Sequence, residues 1–119
     1  MIRPTAITTA LLLCVATAGA ASPLKFGDES RDLGKVARKS RTEAVFRFVN
    51  DSHMPVVITG AKTPCGCTKV RFPSRPVMAG AADSLTVVFN ATERGAFYKK
   101  ITITTSSGEQ TLAIRGTVE

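Results

Sequence analysis

From Thr42 to Val118, apolar side chains recur at every second position in short runs broken by turn residues. A period of two sends successive side chains to opposite faces, which commits each run to a half-buried β-strand. In Thr42–Asn50, Ala44, Phe46 and Phe48 share one face, and Glu43, Val45, Arg47 and Val49 share the other. Ser84–Asn90 sets Leu85, Val87 and Phe89 against Thr86, Val88 and Asn90. Phe97–Thr105 sets Lys99, Ile101 and Ile103 against Tyr98, Lys100, Thr102 and Thr104. Gln110–Val118 places Leu112, Ile114, Gly116 and Val118 in one register. After the N-terminal segment, no stretch carries the 3.6-residue period of a helix.

The weaker runs fill in the pattern. Ser22–Phe26 reads as a first edge strand and Asp32–Val36 as a second. Pro55–Thr59 is β-branched and apolar throughout and reads as a central strand, with Pro55 first, where a missing N–H is tolerated. Lys69–Phe72 alternates again. Pro73–Pro76 and Ala79–Ala82 frame a loop that holds Val77 and Met78, and Ser106-Ser107-Gly108 forms a hairpin turn. About seven short strands, roughly ten residues apart with turn signals between them, indicate an all-β, immunoglobulin-like β-sandwich. The expected core is Phe46, Phe48, Val56, Ile58, Leu85, Val87, Phe89, Ile101, Ile103, Leu112 and Ile114. With no tryptophan and no cysteine pair placed to bridge two sheets, the antibody pattern is excluded.

Residues 1–20 read as a secretory signal peptide. Arg3 gives a positive start, Ala6–Ala18 is small and apolar, and Ala18-Gly19-Ala20 is a small-x-small cleavage site before Ala21. Thr5, Thr8, Thr9 and Thr17 dilute the run below the roughly 20 apolar residues that a membrane anchor needs. Acylation at Cys14 is the competing reading, but Leu13 stands where a lipidated cysteine expects a small residue. Cleavage leaves one domain, Ala21–Glu119, exported to the periplasm or beyond, with no transmembrane segment in the mature form. Its fifteen basic side chains against nine acidic ones give a net charge of +6. In that compartment the counter-surfaces are an envelope protein or an anionic envelope surface, not nucleic acid. The run Lys35, Arg38, Lys39 and Arg41 is the candidate basic patch. Its plainer reading is an edge protected by charge from pairing with other strands.

The order of residues resembles a known family. Phe46-x-Phe48-x-Asn50, Pro55-Val56-Val57-Ile58, Cys65-Gly66-Cys67-Thr68, Leu85-x-Val87-x-Phe89, Gly95-x-Phe97 and Leu112-x-Ile114-x-Gly116 resemble the exported bacterial domain of unknown function 1573 family, from about Leu33 to Val118. Asp51, Pro64 and Ala79-Gly80 depart from its usual loop residues. The resemblance implies an Ig-like sandwich related to the major sperm protein and cilia-associated ASH domains. It brings no catalytic residue. The function expected is therefore a non-enzymatic interaction or structural module of the cell envelope, with strand addition at an exposed edge as one binding mode.

Chemistry in the mature chain centres on Cys65 and Cys67. In an extended strand their Cα atoms would stand roughly 6.5–7 Å apart, near the far limit for a disulfide. A turn at Gly66, exploiting glycine's backbone freedom, would bring them closer. A ring so small is strained, and strained exposed disulfides are readily reduced. Lys62, Lys69 and Arg71 are near in sequence and favour thiolate. Three roles fit: a clip that shapes the loop, thiol redox exchange, or Cu(I) binding by Cys65 and Cys67 with Met78 as a third soft ligand. His53 and Met54 should lie at the other end of the sandwich. His53 has no nucleophile beside it, which leaves hydrolysis without support. Asn50-Asp51-Ser52 and Asn90-Ala91-Thr92 read as chance glycosylation sequons.

Overall fold

The computed structural model describes residues 24–119, so the expected signal segment, with Cys14 and the Ala20–Ala21 junction, lies outside the described residues. The chain folds as β1 (Leu24–Phe26), β2 (Ser30–Val36), β3 (Arg41–Asn50), β4 (Ile58–Lys62), β5 (Thr68–Arg71), β6 (Ala82–Asn90), β7 (Gly95–Thr105) and β8 (Gly108–Val118). The described residues contain no helix, hence none that is long and apolar enough to cross a membrane. Two four-stranded sheets, β1-β3-β6-β5 and β2-β8-β7-β4, pack face to face. This is the constant-type immunoglobulin arrangement, with the first strand divided between the sheets. β1 runs antiparallel to β3, whereas β2 crosses over and runs parallel to β8.

Period-two patterning decides which faces meet. In β3, Ala44, Phe46, Phe48 and Asn50 are buried, while Val45 and Val49 face outward. The β3–β6 register sets Phe46 opposite Leu85 and Ala44 opposite Val87. All eleven expected core residues are buried, and Leu24, Val36, Val77 and Val118 join them. Fully burying an aliphatic or phenylalanine side chain contributes about 1.5–3 kcal/mol, so this shared interior is the main source of stability.

The run expected as a central strand at Pro55–Thr59 is displaced and lies at an edge. β4 begins at Ile58, extends to Lys62 and pairs with β7 alone. Val56 instead exchanges backbone hydrogen bonds with Val77 in an isolated bridge, at 2.9 and 2.7 Å. The run is apolar because Val56 and Ile58 fill the core, not because strands flank it on both sides. Through the same bridge, Val77, expected in a loop, becomes a core residue.

One polar side chain is fully buried at this end. Asn50 Nδ2 donates to the carbonyls of Met54 at 2.8 Å and Val77 at 2.9 Å. Its Oδ1 accepts from Ser52 N at 3.0 Å and Ser52 Oγ at 2.6 Å. Its backbone N–H donates to Ala81 O and its carbonyl accepts from Gly80 N. Asn50 therefore ties the end of β3, the 51–56 turn and the 77–81 loop together, with every amide hydrogen and lone-pair direction engaged. A side-chain nitrogen held in this way is closed to glycosylation in the folded domain. Nearby, exposed Lys25 and Asp51 pair at 2.8 Å. That hydrogen bond and charge lower the Asp51 pKa and raise that of Lys25. The Asp51 contribution is present above the ordinary carboxylate value and fades as pH falls through the lowered one. The lysine contribution is complete below its ordinary value and is lost as pH rises through the raised one.

Asn50→Leu leaves three backbone partners facing an apolar group, Val77 O among them buried, and is expected to cost about 2–4 kcal/mol. Urea denaturation followed by circular dichroism measures it. A midpoint equal to that of the wild type would remove Asn50 from this role.

Candidate functional site

β4 and β5 are edge strands of opposite sheets, so residues 63–67 must cross from one sheet to the other. The crossing is a tight turn. Thr68 N donates to Cys65 O at 3.3 Å, and Thr63 Oγ1 donates to the same carbonyl at 3.2 Å. Asn90 N donates to Cys67 O at 2.8 Å, fastening the turn to the end of β6. The Cys65 and Cys67 Cα atoms are 5.2 Å apart and their sulfurs lie at bonding distance. The turn needs no left-handed glycine, since Gly66 is not among the positive-φ residues. A Cβ at Gly66 would meet nothing within 4 Å. Glycine at this position is therefore not there to relieve a strained backbone.

Thr68 follows the pair and is buried. Its Oγ1 lies 3.7 Å from both sulfurs, which are its only side-chain hydrogen-bond partners among the described residues. Beside the turn runs a groove of about 490 Å³, lined by Cys65, Cys67, Arg94, Phe97, Tyr98 and Lys99 among others. Phe89 and Phe97 stack in it with ring centroids 4.3 Å apart. Cys67 packs against the hydrophobic core. Tyr98 is 58% exposed.

The basic turn comes to the same end. Lys39 adopts φ 63° and its N–H donates to Ala91 O at 2.7 Å; Ala91 N donates to Ser40 O at 3.0 Å. Arg38 Nε donates to Thr92 O at 3.3 Å. Arg38 and Lys39 are thereby stapled to the β6–β7 loop that walls the groove, and Lys35 lines an adjoining cavity that shares Phe97 and Tyr98. Arg41 differs from them, sharing the Glu43 carboxylate with Arg71 at 3.3 and 2.9 Å. The positive charge expected from Arg71 is thus partly neutralised by Glu43.

Met78, the proposed third soft ligand, lies elsewhere. It is exposed on the loop that closes on Asn50 and Val56, with His53 and Met54 in the neighbouring turn. That end adjoins the Thr105–Gly108 hairpin, where Ser106 N donates to Val57 O, and the cysteines follow the far end of β4. Cys65, Cys67 and Met78 are not brought together. Among the described residues, no three His, Cys, Asp or Glu side chains cluster as a metal site would require. Patterning alone missed Phe97 and Tyr98 as groove residues, because the β6–β7 connection brings them to the cysteines only in three dimensions.

Residues 24–118 match the family described as Protein of unknown function (DUF1573). The chain belongs to this family. The match takes in β1, ahead of the Leu33 at which the resemblance began. Comparison with curated proteins gives no match. Among solved structures, the chain is similar to the ASH/PapD-like domain 7 of human CEP192, with TM-score 0.73 and 8% identity over 91% of this chain and 93% of that one. It is also similar to a protein of unknown function from Porphyromonas gingivalis W83, with TM-score 0.66 and 12% identity over 79% of this chain and 46% of that one, so it spans less than half of that chain. WR4, an MSP family member of C. elegans, gives TM-score 0.57 and 12% identity over 83% and 100%. At such identities the likeness is one of fold: this DUF1573 chain has an ASH/PapD-like, Ig-like fold.

In this DUF1573 domain the groove floor depends on Gly116. A Cβ there would stand 2.6 Å from Gly34 O and 2.8 Å from Phe97 Cζ. Glycine lets the Phe97 ring lie across β8, where it stacks on Phe89. Gly116→Ala should therefore displace Phe97 and cost about 1–3 kcal/mol. Gly66→Ala, with open space around its Cβ, should stay within about 0.5 kcal/mol of wild type. Thermal melts of the two variants test the contrast, and equal losses would overturn this account of the floor.

Proposed function

We propose that this domain is an exported, non-catalytic interaction module of the bacterial cell envelope, engaging an acidic protein or anionic envelope surface through its cysteine-bearing end. The observation that carries the reading is the gathering at one end of Lys35, Arg38, Lys39 and Arg94, all exposed and without an ion-pair partner among the described residues: Arg94 lines the groove, Arg38 and Lys39 are bonded to the loop that walls it, and Lys35 lines an adjoining cavity. Unpaired cations on one end raise the local concentration of anionic partners. The ASH/PapD-like fold supports a scaffold on which loops carry the binding function.

The sheet edges favour this end over strand addition. β1 offers three residues and β5 four, with Lys69 and Arg71 along it. β2 is interrupted between Asp32 and Lys35, and β4 between Ile58 and Gly60. Short, charged and bulged edges discourage another strand from pairing. A partner drawn to the loop end by charge needs none of those edges.

Two measurements test the reading. Intact mass of the exported protein should correspond to a chain beginning at Ala21, and a retained leader or a lipid on Cys14 would refute soluble export. Co-sedimentation with native envelope fractions should weaken steeply with salt, as exposed charge interactions are screened over about 10 Å at 0.1 M. The double substitution Lys35→Glu/Arg38→Glu should weaken it about tenfold or more. Wild-type sedimentation by the double variant at low salt would sink the basic-end reading.

A further inference from the structure

The geometry points to Cys65–Cys67 as a thiol–disulfide exchange site, with thiols as its substrate class and Thr68 as the residue that positions and stabilises the departing sulfur. This goes beyond the interaction reading and stands independently of it. Three observations converge. Cys65 and Cys67 lie at bonding distance on the wall of an open groove, and Gly66 between them is exposed with nothing within 4 Å of where a side chain would begin. An approaching thiolate therefore meets no side chain at residue 66. Both cysteines are half-buried and line the groove, but only Cys67 packs against the core, so we take Cys65 as the sulfur attacked. The third observation is Thr68, a buried hydroxyl whose side-chain partners among the described residues are the two sulfurs, each at 3.7 Å.

A bonded sulfur is a weak acceptor and a thiolate is a strong one, because hydrogen bonds to charged groups are about twice as strong as neutral ones. Buried polar groups normally find good acceptors, yet Thr68 is held against two poor ones. The arrangement becomes favourable when one of those sulfurs takes on negative charge.

The exchange balances as follows. A thiolate R–S⁻ attacks Cys65 Sγ. A new R–S–Sγ bond forms as the Cys65–Cys67 bond breaks, and the electron pair leaves on Cys67 Sγ, which accepts a hydrogen bond from the Thr68 hydroxyl. A second R–S⁻ attacks the R sulfur, Cys65 departs as thiolate, and R–S–S–R is released. Two thiols lose two electrons and two protons, and the domain ends as the dithiol. Run in reverse, the dithiol reduces a disulfide of the same class. Cys67, two residues away, also recaptures Cys65 from the mixed disulfide, so the adduct does not accumulate in the wild type.

The experiment equilibrates the folded mature domain with glutathione buffers in one arm and with a cysteinyl peptide and its disulfide in the other, then counts free thiols after acid quench. Both arms should open and reclose the pair. A faster peptide arm assigns protein thiols as the natural substrate, and equal rates assign low-mass thiols. Thr68→Val should shift the equilibrium toward the disulfide by about tenfold, the loss of one hydrogen bond to a charged group. Thr68→Ser should restore it. Cys67→Ser should trap one glutathionyl group on Cys65 from oxidised glutathione, seen as a mass gain. Melts of both redox forms separate this from a packing role, which would lower both alike and leave the redox equilibrium unmoved. The proposal is overturned if the wild-type pair opens only in urea, or if Thr68→Val folds and equilibrates like wild type.

Discussion

Every long strand in this domain has one apolar face, and the only surface able to cover it is the apolar face of the opposite sheet. Phe46 and Phe48 on β3 and Leu85, Val87 and Phe89 on β6 form one side; Ile101, Ile103, Leu112 and Ile114 on β7 and β8 form the other. Neither sheet keeps water from its own inner face. Burial at roughly 25 cal/mol per Å² accrues only when both are present. The division of the first strand follows from the same need. β1 extends the β3 sheet and brings Leu24 inward, and β2 crosses to β8 and brings Val36 inward, so both sheets are widened over the common core.

The two ends of the sandwich are closed by different means. At one end a polar side chain closes the fold. Asn50 substitutes for the backbone ladder where β3 stops, and its amide satisfies carbonyls in two separate segments. At the other end the chain closes with a Cys-Gly-Cys crossing, an aromatic stack and a basic turn pinned to the β6–β7 loop. The Asn50 end offers its polar groups to itself. The cysteine end leaves its cations facing solvent.

Face assignment was legible in the sequence because alternation is local: Phe46, Phe48, Val87 and Ile114 declare their side by their spacing alone. Neighbour assignment was not. The apolar run Val56–Ile58 looks like a strand between two others, yet a residue's burial depends on the opposite sheet and its hydrogen bonding on the same sheet, and composition reports only the first. Val77 illustrates the complementary miss, since prolines and a glycine around it signal a loop while its long-range bridge to Val56 makes it core. At the site, the two cysteines and the basic turn were visible as motifs. Their common end was set by topology, because β2–β3 and β6–β7 connections meet only once both sheets have formed. The same topology carried Met78 away from the cysteines, a separation that spacing could not reveal.

Chain entropy bears on why a domain with a sufficient core keeps two cysteines one residue apart. A ring closed over three residues removes little freedom from the unfolded chain, about 1.6 kcal/mol by the loop-length relation, against about 4.7 for a loop of a hundred residues. A bridge meant to stabilise the fold would join distant segments, as an inter-sheet disulfide does. Here the crossing is already fastened by the hydrogen bond from Asn90 to Cys67 O and by those that Cys65 O receives from Thr63 and Thr68. The bond between the sulfurs adds little constraint to a turn so held. On the proposed exchange, what it adds is a reactive centre on a groove wall, next to a buried hydroxyl whose best partner would be a sulfur bearing charge.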